Sequence, residues 1–263
     1  MRLMTYNILT GGLDADMGDR RWPHLVEVIR SVQPDVLVLN ECNYFELNRF
    51  QRFHRMERAL GMRGLFALAE TGFHVAIFMR REVEVIEHGA ASSVHHAMLE
   101  AKLVLDGVPI TVVGVHLCPF GGQNRVAEAE LLTRMAKPDE WVFIAGDMNA
   151  ISRIDASRMK VDEWAARRQA RHLFPGTREI DTRAMSVLEG AGLVDLGAAA
   201  GICKAPTALT SLIPGHESYR VRIDYVFGSE RVAAGLRHAE VIQTEIAERA
   251  SDHYPVWVDV ELP

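Results

Sequence analysis

The sequence predicts an α/β sandwich with sheets inside and helices outside. Short apolar runs rich in β-branched residues recur along the chain, and amphipathic helical patterns lie between some of them. This mixed spacing is typical of sheets that are covered by helices. A length of 263 residues is within reach of one large sandwich, and no stretch has the composition of a flexible linker. We therefore expect a single domain over residues 1–263.

Eight segments have the apolar, β-branched composition of buried strands. They are Leu3–Leu9, Val36–Asn40, His74–Met79, Leu99–Leu105, Ile110–Leu117, Trp141–Ala145, Val221–Phe227 and Tyr254–Val260. Residues 99–117 are predicted to form a hairpin, because Asp106 and Gly107 between the two runs are a turn signal.

Three segments have helical patterns. Trp22–Val32 has apolar residues at positions 22, 25, 26, 29 and 32, which is the spacing of one helix face. Glu46–Leu60 and Asn124–Met135 are also amphipathic. The stretch Ile151–Arg220 is the least regular, and we expect it to form helices and long loops at one end of the same domain.

Composition excludes several classes of protein. Hydrophobic residues make up 48% and charged residues 24% of the chain, so a long disordered protein is excluded. No apolar run approaches the roughly 18 residues that a membrane span needs. The formal charge of −6 provides no global basic field, which weakens a nucleic-acid interpretation without excluding it, since a local basic rim can lie on an acidic protein.

The cysteines and the N-terminus indicate the compartment. Cys42, Cys118 and Cys203 are few, odd in number and outside any CxxC pair, so neither a disulfide framework nor a thiolate zinc site is expected. Cys42 and Cys118 are interpreted as small buried residues. The first residues read as a strand with no signal-peptide cleavage site, so we expect a cytoplasmic protein that does not associate with membranes.

A polar residue follows or ends most of the predicted strands. These residues are Asn7, Glu41, His116, Asp147, Asn149, Asp224, Asp252 and His253. Any one of them could be an ordinary turn residue. Together they could converge on one pocket, where rigid strands would hold them.

Part of this set suits a divalent cation. Glu41 and Asp252 could bind it, and Asn7 could supply a neutral oxygen. Oxygen ligands with few carboxylates, completed by water and a substrate phosphate, suit Mg²⁺ or Mn²⁺.

The remaining residues suit proton transfer and phosphate binding. Asp147 and Asn149 can hold a water and a phosphoryl oxygen side by side. His253 is a candidate for an imidazole oriented by a carboxylate, with Asp224 accepting its second N–H. These parts match the hydrolysis of a phosphoester.

Six short motifs occur in a distinctive order: TYN, LNE, GVHL, GDMN, RIDYVF and SDHYPV. The set resembles the endonuclease/exonuclease/phosphatase superfamily, which has the DNase I-like fold, over nearly the whole chain from Asn7 to Val258. The resemblance implies a four-layered α/β sandwich of two mixed sheets flanked by helices. It also implies Mg²⁺-dependent hydrolysis of a phosphoester.

The resemblance also implies residue roles. Asn7 and Glu41 would lie at the metal, with Asp252 close to it. Asp147 would position or activate water, and Asn149 would contact the phosphate.

Three further roles follow from the same resemblance. His253 would act at the scissile phosphate, oriented by Asp224, and His116 would be a second donor to the phosphate. Asn40, Leu9 and Met79 depart from residues common in the family, which leaves the chemistry intact and the subfamily open.

A rim of basic and aromatic residues could bind substrate. Arg125 is either a solvated arginine at a helix start or a contact to substrate or to a ligand carboxylate. Tyr219, Arg220 and Arg222 form either a phosphate- or base-contacting rim or a solvated loop. Further candidates for the rim are Arg167, Arg168, Arg171 and Arg178, although an exposed helix face explains the first three more simply.

Four other polar residues are given structural roles. Arg20 and Arg21 are expected to lie on the surface, and His74 to pack in the core. His95 and His96 are expected in a loop or on the surface, since neighbours in a strand point to opposite faces.

The sequence thus predicts a metal-dependent phosphoesterase in which water attacks in line with the leaving oxygen. A nuclease acting on DNA or RNA is favoured. The enzyme alternative acts on a small molecule such as an inositol phosphate, a nucleotide or a lipid head group. A third hypothesis is a non-catalytic binding module, and the intact set of acids, amides and histidines argues against it. No obligate protein partner is indicated.

Overall fold

Two six-stranded mixed sheets form the centre of the protein, in a computed structural model that describes residues 1–91 and 93–263. The strands are β1 (Arg2–Asn7), β2 (Val36–Asn40), β3 (Met62–Ala67), β4 (Val75–Arg80), β5 (Glu84–Ala91), β6 (Ala97–Leu105), β7 (Val108–His116), β8 (Trp141–Asp147), β9 (Val194–Asp195), β10 (Asp224–Gly228), β11 (Leu236–Val241) and β12 (Val256–Val260). The helices are α1 (Trp22–Val32), α2 (Leu47–Leu60), α3 (Gly122–Leu132), α4 (Arg153–Ala156), α5 (Ala166–His172), α6 (Arg183–Gly190), α7 (Leu196–Ala199), α8 (Glu230–Ala234) and α9 (Glu245–Ala250).

One sheet has the order β11-β12-β1-β2-β4-β3, and the other has the order β5-β6-β7-β8-β10-β9. The pairs β1–β2 and β7–β8 are parallel, and the remaining pairs are antiparallel. Helices flank the two sheets, so the predicted α/β sandwich of two mixed sheets is confirmed.

Gly114 on β7 lets the two sheets approach each other closely. A Cβ atom at this position would lie 3.0 Å from Val38 of β2 and 3.1 Å from Val75 of β4. Such contacts are tighter than a packed core tolerates without displacement. The absence of a side chain at this point therefore sets the spacing between the layers.

Strand register brings the predicted site residues to one end of the sandwich. In the first sheet, Asn7 pairs with Asn40, the residue before Glu41. In the second sheet, His116 pairs with Asp147 and Asp147 pairs with Asp224. The carboxyl ends of β1, β2, β7 and β8 therefore meet the amino end of β10 at a single edge.

All eight predicted strands are present, and the predicted hairpin is formed by β6 and β7. The strand β1 ends two residues earlier than predicted, because Leu9 and Thr10 turn the chain with φ of 50° and 52°. The strands β3, β5, β9 and β11 were not predicted. Six of the eight residues of β5 are exposed, so this edge strand lacks the apolar run that marks a buried one.

The segment 151–220 forms short helices and long loops, as predicted. It contributes most of a small apolar cluster, which includes Trp164, Leu173, Leu209 and Tyr219. Among residues 1–91 and 93–263, no helix combines the length and the apolar character that crossing a membrane requires.

Candidate functional site

A cleft of about 390 Å³ opens at the edge where the strand ends meet. It is lined by Glu41, Thr71, Phe73, His95, His96, His116, Pro119, Phe120, Asp147, Asn149, Arg168, Arg171, Ala208, Leu209, Tyr219, Ile223, Asp252 and His253. A larger recess of about 600 Å³, around Trp141 at the start of β8, includes none of the predicted site residues. The cleft is therefore the candidate site, although it is the smaller of the two.

Asn7 joins the acids of the two sheets. Its Nδ2 donates to Glu41 Oε1 at 3.2 Å and to Asp147 Oδ2 at 3.1 Å, and its Oδ1 accepts from the Leu9 N–H at 3.1 Å. The sequence interpretation gave Asn7 the role of an oxygen ligand. In the structure it is instead the amide nitrogen that faces the two carboxylates.

Glu41 and Asp252 form an acidic pair, and neither is in an ion pair within the described part of the chain, although the charges of His253 and Arg21 act on them. Glu41 Oε2 accepts from the Thr10 N–H at 2.9 Å, whereas Asp252 Oδ1 is buried and has no hydrogen-bond partner in the described part of the chain. Burial, and next the charge of Asp252, raises the pKa of Glu41. Two partly buried carboxylates, one with an unpartnered oxygen, are the donor set that a divalent cation stabilises, so these residues fit one.

Asp147, Asp224 and His253 form a second cluster that could hold a metal ion, with ligand atoms within 4.8 Å of one another. Here the side chains already satisfy each other in part. The His253 Nδ1–H donates to Asp224 Oδ2 at 2.8 Å, and His253 Nε2 lies 3.9 Å from Asp147 Oδ2. The cluster therefore also has the geometry of a histidine oriented by a carboxylate.

Asp147 is held by the backbone and by amides. Its Oδ1 accepts from the Asn149 N–H at 2.8 Å, and its own N–H donates to Asn40 Oδ1 at 2.9 Å. Burial, and next the charge of Asp224, raises the pKa of Asp147 to about 7. Asn40, which departs from the residue common in the family, thus connects the end of β2 to the end of β8.

Two of the histidines that line the cleft, His253 and His116, have pKa values shifted in opposite directions. Burial opposes protonation of His253, yet the charges of Asp224 and Asp252 raise its pKa well above the usual value. Burial, and next the charge of His96, lowers the pKa of His116 well below its usual value. These shifts favour the protonated form of His253 and the neutral form of His116, whose Nε2 lies 3.6 Å from Asp147 Oδ2.

Asn149 lies at the turn after β8 and is almost fully buried. Its φ of 46° turns the chain sharply, and its Nδ2 donates to the Leu117 carbonyl at 3.0 Å. The amide is thereby fixed in the wall of the cleft beside Asp147.

Arg21 is buried beneath the site, so the prediction of a surface role was wrong. Its guanidinium donates to the carbonyls of Ile8 at 3.1 Å, Leu9 at 2.6 Å and Ala250 at 2.8 Å, and also to that of Leu13. It thus connects the loop that follows Asn7 to the segment that precedes Asp252. The neighbouring Arg20 is exposed, as predicted.

His95 and His96 lie in a loop, as predicted, but both also line the cleft, which the sequence did not indicate. The His96 ring lies 4.3 Å from the His116 ring, and its Nδ1 is hydrogen-bonded to Thr71 Oγ1 at 2.7 Å. Burial, and next the charge of His95, lowers the pKa of His96 to about 4. Because β6 begins only at Ala97, both histidines stand in the preceding bend, where the opposite orientation of neighbouring strand residues does not apply.

Aromatic rings extend this histidine wall. Phe73 lies 4.9 Å from the His96 ring, and Phe120 lies 5.9 Å from the His95 ring. Phe120 is 62% exposed, so its ring is accessible at the mouth of the cleft. His74, by contrast, is a packed core histidine that pairs with Glu46 at 3.0 Å, as predicted.

Two of the predicted substrate contacts are buried outside the cleft lining. Arg222 is 3% exposed and is held by Asp155 and Asp195, with its Nη2 2.6 Å from Asp195 Oδ2. Arg125 is 1% exposed and donates to the carbonyls of Cys118 and Arg171. The interpretation of both as substrate contacts is therefore corrected: they hold the loops behind the site.

The rest of the predicted rim divides between the cleft and the outer surface. Tyr219, Arg168 and Arg171 line the cleft. Arg220 is exposed beside a different recess, and Arg178 is also exposed and pairs with Asp162 at 3.3 Å. The Tyr219 ring is covered by Arg168, whose guanidinium carbon lies 4.3 Å from its centroid, so this face is not free to stack on a base.

The chain matches the model of the Endonuclease/Exonuclease/phosphatase family over residues 4–253. A search among curated proteins found no match. Several solved structures are similar. An endonuclease/exonuclease/phosphatase from Beutenbergia cavernae is 19% identical with a TM-score of 0.74, and the match covers 100% of this chain and 71% of that one.

Two further similar structures belong to individually named proteins. An AP endonuclease from Archaeoglobus fulgidus is 19% identical with a TM-score of 0.69, and the match covers 100% of both chains. A truncated TDP2 from Caenorhabditis elegans is 17% identical with a TM-score of 0.62, covering 98% of this chain and 95% of that one. At such low sequence identity, the likeness to these structures establishes a shared fold and nothing further. Because the family model spans most of its length, this chain belongs to the Endonuclease/Exonuclease/phosphatase family.

Proposed function

We propose that this protein is a Mg²⁺-dependent phosphodiesterase that hydrolyses nucleic acid. Members of its family are phosphoester hydrolases, and they typically depend on a divalent metal ion. The observation that carries the proposal is the acidic pair Glu41 and Asp252 in the same cleft as two histidines of opposite protonation bias. Cation binding and proton transfer are the two requirements of metal-assisted hydrolysis.

Glu41 and Asp252 would hold the cation, and their oxygen atoms suit Mg²⁺, with Mn²⁺ as a substitute. When bound, Mg²⁺ neutralises negative charge on the phosphoryl group. Asn7 keeps Glu41 and Asp147 apart at fixed positions through its two donated hydrogen bonds.

Asp147 accepts the proton of the attacking water. The Asn149 N–H and the Asn7 amide occupy part of its lone pairs, which fixes the direction of the remainder. His253 donates through Nε2 to a phosphoryl oxygen, and Asp224 holds its ring in that orientation. Direct attack by water needs no covalent intermediate.

Nucleic acid is favoured by the aromatic wall and by the cationic residues of the cleft. The rings of Phe73, Phe120 and His95 form a platform on which a base can stack, and Arg168 and Arg171 supply positive charge. The AP endonuclease among the similar structures agrees with this choice.

A small phosphoester is the second candidate, and a specific observation favours it. The cleft of about 390 Å³ lies near the lower end of the volumes usual for small-molecule sites. The protein also carries a net charge of −6, and Arg222 and Arg178 are committed to acids.

The deciding experiment measures hydrolysis of DNA, RNA and bis-p-nitrophenyl phosphate with Mg²⁺ and with EDTA. Glu41→Gln keeps the volume of the side chain and removes a charge, so we expect a loss of about 100-fold or more in activity with the fold retained. Glu27→Gln, an exposed change on α1, is the matched control. Full activity of the parent protein in EDTA would refute the metal mechanism, and hydrolysis of the aryl ester alone would select the second candidate.

A further inference from the structure

We propose that Arg168 and Arg171 form a second anion-binding subsite, which takes a phosphate of the substrate other than the one that is cleaved. The inference rests on the proposed function and extends it to the substrate class, a phosphoester that carries a second phosphate. Both arginines line the same cleft as Asp147, His116 and His253 and are partly buried.

The first argument is that these two cations lack acidic partners. Within residues 1–91 and 93–263, neither Arg168 nor Arg171 forms an ion pair with a carboxylate. Three other arginines nearby in sequence do: Arg178 pairs with Asp162 at 3.3 Å, Arg183 with Asp181 at 2.8 Å and Arg222 with Asp195 at 2.6 Å. Partly buried charge without a partner is unfavourable in the free protein, and an anionic ligand would compensate it.

The second argument concerns how Arg168 is held. Its guanidinium carbon lies 4.3 Å from the centroid of the Tyr219 ring, and the Tyr219 hydroxyl is hydrogen-bonded to buried His172. Trp164 packs against the same ring at 5.3 Å. A contact through the aromatic face positions the guanidinium and leaves its N–H donors available for an anion.

The third argument concerns the orientation of α5. Arg168 and Arg171 are three residues apart and therefore share a helix face, while Arg167 is exposed and does not line the cleft. The backbone carbonyl of Arg171 accepts from Arg125 at 2.7 Å, which fixes the end of α5 to α3. The subsite is thus built on an anchored element.

The scissile phosphate belongs to the other wall of the cleft. There Asp147, His116 and His253 lie at the strand ends, and their donors and acceptor surround the reacting position. Arg168 and Arg171 come from α5, outside both sheets. Successive phosphates of a nucleic-acid strand, or the two phosphates of a small bisphosphorylated ester, would satisfy both positions.

The test compares two esters that differ by one phosphate: the p-nitrophenyl ester of thymidine 5′-phosphate, and the same compound with an added 3′-phosphate. We measure kcat/KM for each with Mg²⁺. The parent protein should prefer the doubly phosphorylated ester by about tenfold or more, the scale of charge-assisted hydrogen bonds to a phosphate. In Arg168→Gln and Arg171→Gln that ratio should fall toward one, and in the matched control Arg167→Gln it should keep the parent value.

Arg168→Lys is a second variant that retains the charge without the planar fork, and it should keep part of the ratio. An unchanged ratio in both glutamine variants would overturn the subsite. Equal loss on both esters would overturn it too, because the arginines would then act on the scissile phosphate. No hydrolysis of either ester by the parent protein would instead refute the proposed function, and with it the subsite.

The two sources of a second phosphate are separated by lengthening the ester to a trinucleotide. A further gain in kcat/KM over the doubly phosphorylated thymidine ester supports the subsite with a nucleic-acid strand as its source. No further gain supports the subsite with a small bisphosphorylated compound as its source.

Discussion

The two walls of the cleft differ in how they are built. The first wall consists of Glu41, His116 and Asp147 at the ends of paired strands, with Asp252 and His253 just before β12, and the buried Asn7 and Asp224 lie behind it. The second wall consists of Arg168, Arg171 and Tyr219 on a short helix and a loop of the segment 151–220. Sheet register alone brings most of the first wall together, whereas the second depends on packing between segments distant in sequence.

Charge also divides the walls. The strand-end wall has the acids Glu41 and Asp252, and the helical wall has the arginines Arg168 and Arg171; none of these four side chains is in an ion pair within the described part of the chain. Each wall is therefore completed by a ligand of opposite charge. The contrast indicates that the chemistry resides in the strand-end wall and the selectivity in the helical wall, and the following changes test that division.

The largest effect is expected at the strand-end wall. Asp147→Asn removes the acceptor for the water proton, and His253→Ala removes a donor at the phosphate, so each should lower kcat by about 100-fold or more on every substrate. The double variant should lose less than the product of the two, because both side chains act in one step. Steady-state kinetics on a minimal aryl diester measures this.

The exposed change Asp139→Asn, at the opposite end of β8, is the control for these variants. If the two single losses simply multiply, the residues serve separate steps and the shared-step assignment fails.

Adjacent arginines test how the strand-end wall is supported. Arg21→Gln removes a guanidinium that donates to buried carbonyls on both sides of the site, so it should destabilise the fold by about 3 kcal/mol. Activity should also fall, by about tenfold, because Asn7 and Asp252 lose their common support. Arg20→Gln, at an exposed side chain, should change neither quantity.

Denaturant unfolding in EDTA gives the stability of these two variants independently of any cation. Equal behaviour of Arg20→Gln and Arg21→Gln would contradict the supporting role.

The helical wall should control salt dependence. Removing one phosphate contact changes the slope of log K against log salt by about 0.7 for a single strand. Arg168→Ala and Arg171→Ala should each flatten the slope for oligonucleotide binding, whereas Arg178→Ala should leave it unchanged, since Arg178 pairs with Asp162. Fluorescence anisotropy at several salt concentrations measures the slopes. An effect of Arg178→Ala as large as the others would show a wider binding surface.

The smallest effect concerns the pH dependence of the unfolding free energy, through His172, which is hydrogen-bonded to Tyr219. Burial, and next the charge of Arg125, lowers the pKa of His172 well below its usual value. The unfolded chain binds this proton below about pH 6.5 and the folded chain does not, so the contribution of His172 to stability is present above that pH and is lost as the pH falls. His172→Gln should therefore reduce the loss of unfolding free energy between pH 7 and pH 5 by about 2 kcal/mol. An unchanged pH dependence would show that the histidine is not kept neutral.

Much of the strand-end wall could be predicted because its residues adjoin strands that the sequence itself predicts. The run before Asn7, Glu41 and Asp147 is apolar and β-branched in each case, and the polar residue stands at the strand end. Residues that adjoin strands inherit a position from the register, so their convergence is a consequence of sheet pairing. The pattern also carries the motifs by which the family was recognised.

The residues that support the strand-end wall, and those that form the helical wall, could not be predicted in this way. Arg20 and Arg21 are neighbours of the same type, and only the folded chain buries one and exposes the other. Arg222 and Arg168 were both candidates for the basic rim, yet one is neutralised by two aspartates and the other faces the cleft. Their partners are tens to hundreds of residues away, and no local spacing encodes them.

The sequence by itself therefore determined the fold class, the strand ends and the strand-end residues that line the cleft, because alternation, apolar runs and strand-end position are local properties. Only the tertiary structure decided that His95 and His96 line the cleft, that Arg21 supports the site from below, and that two arginines of α5 lack acidic partners in the described chain. The physical reason is that burial and charge compensation depend on every segment packed around a side chain, and those segments come together only in the folded protein.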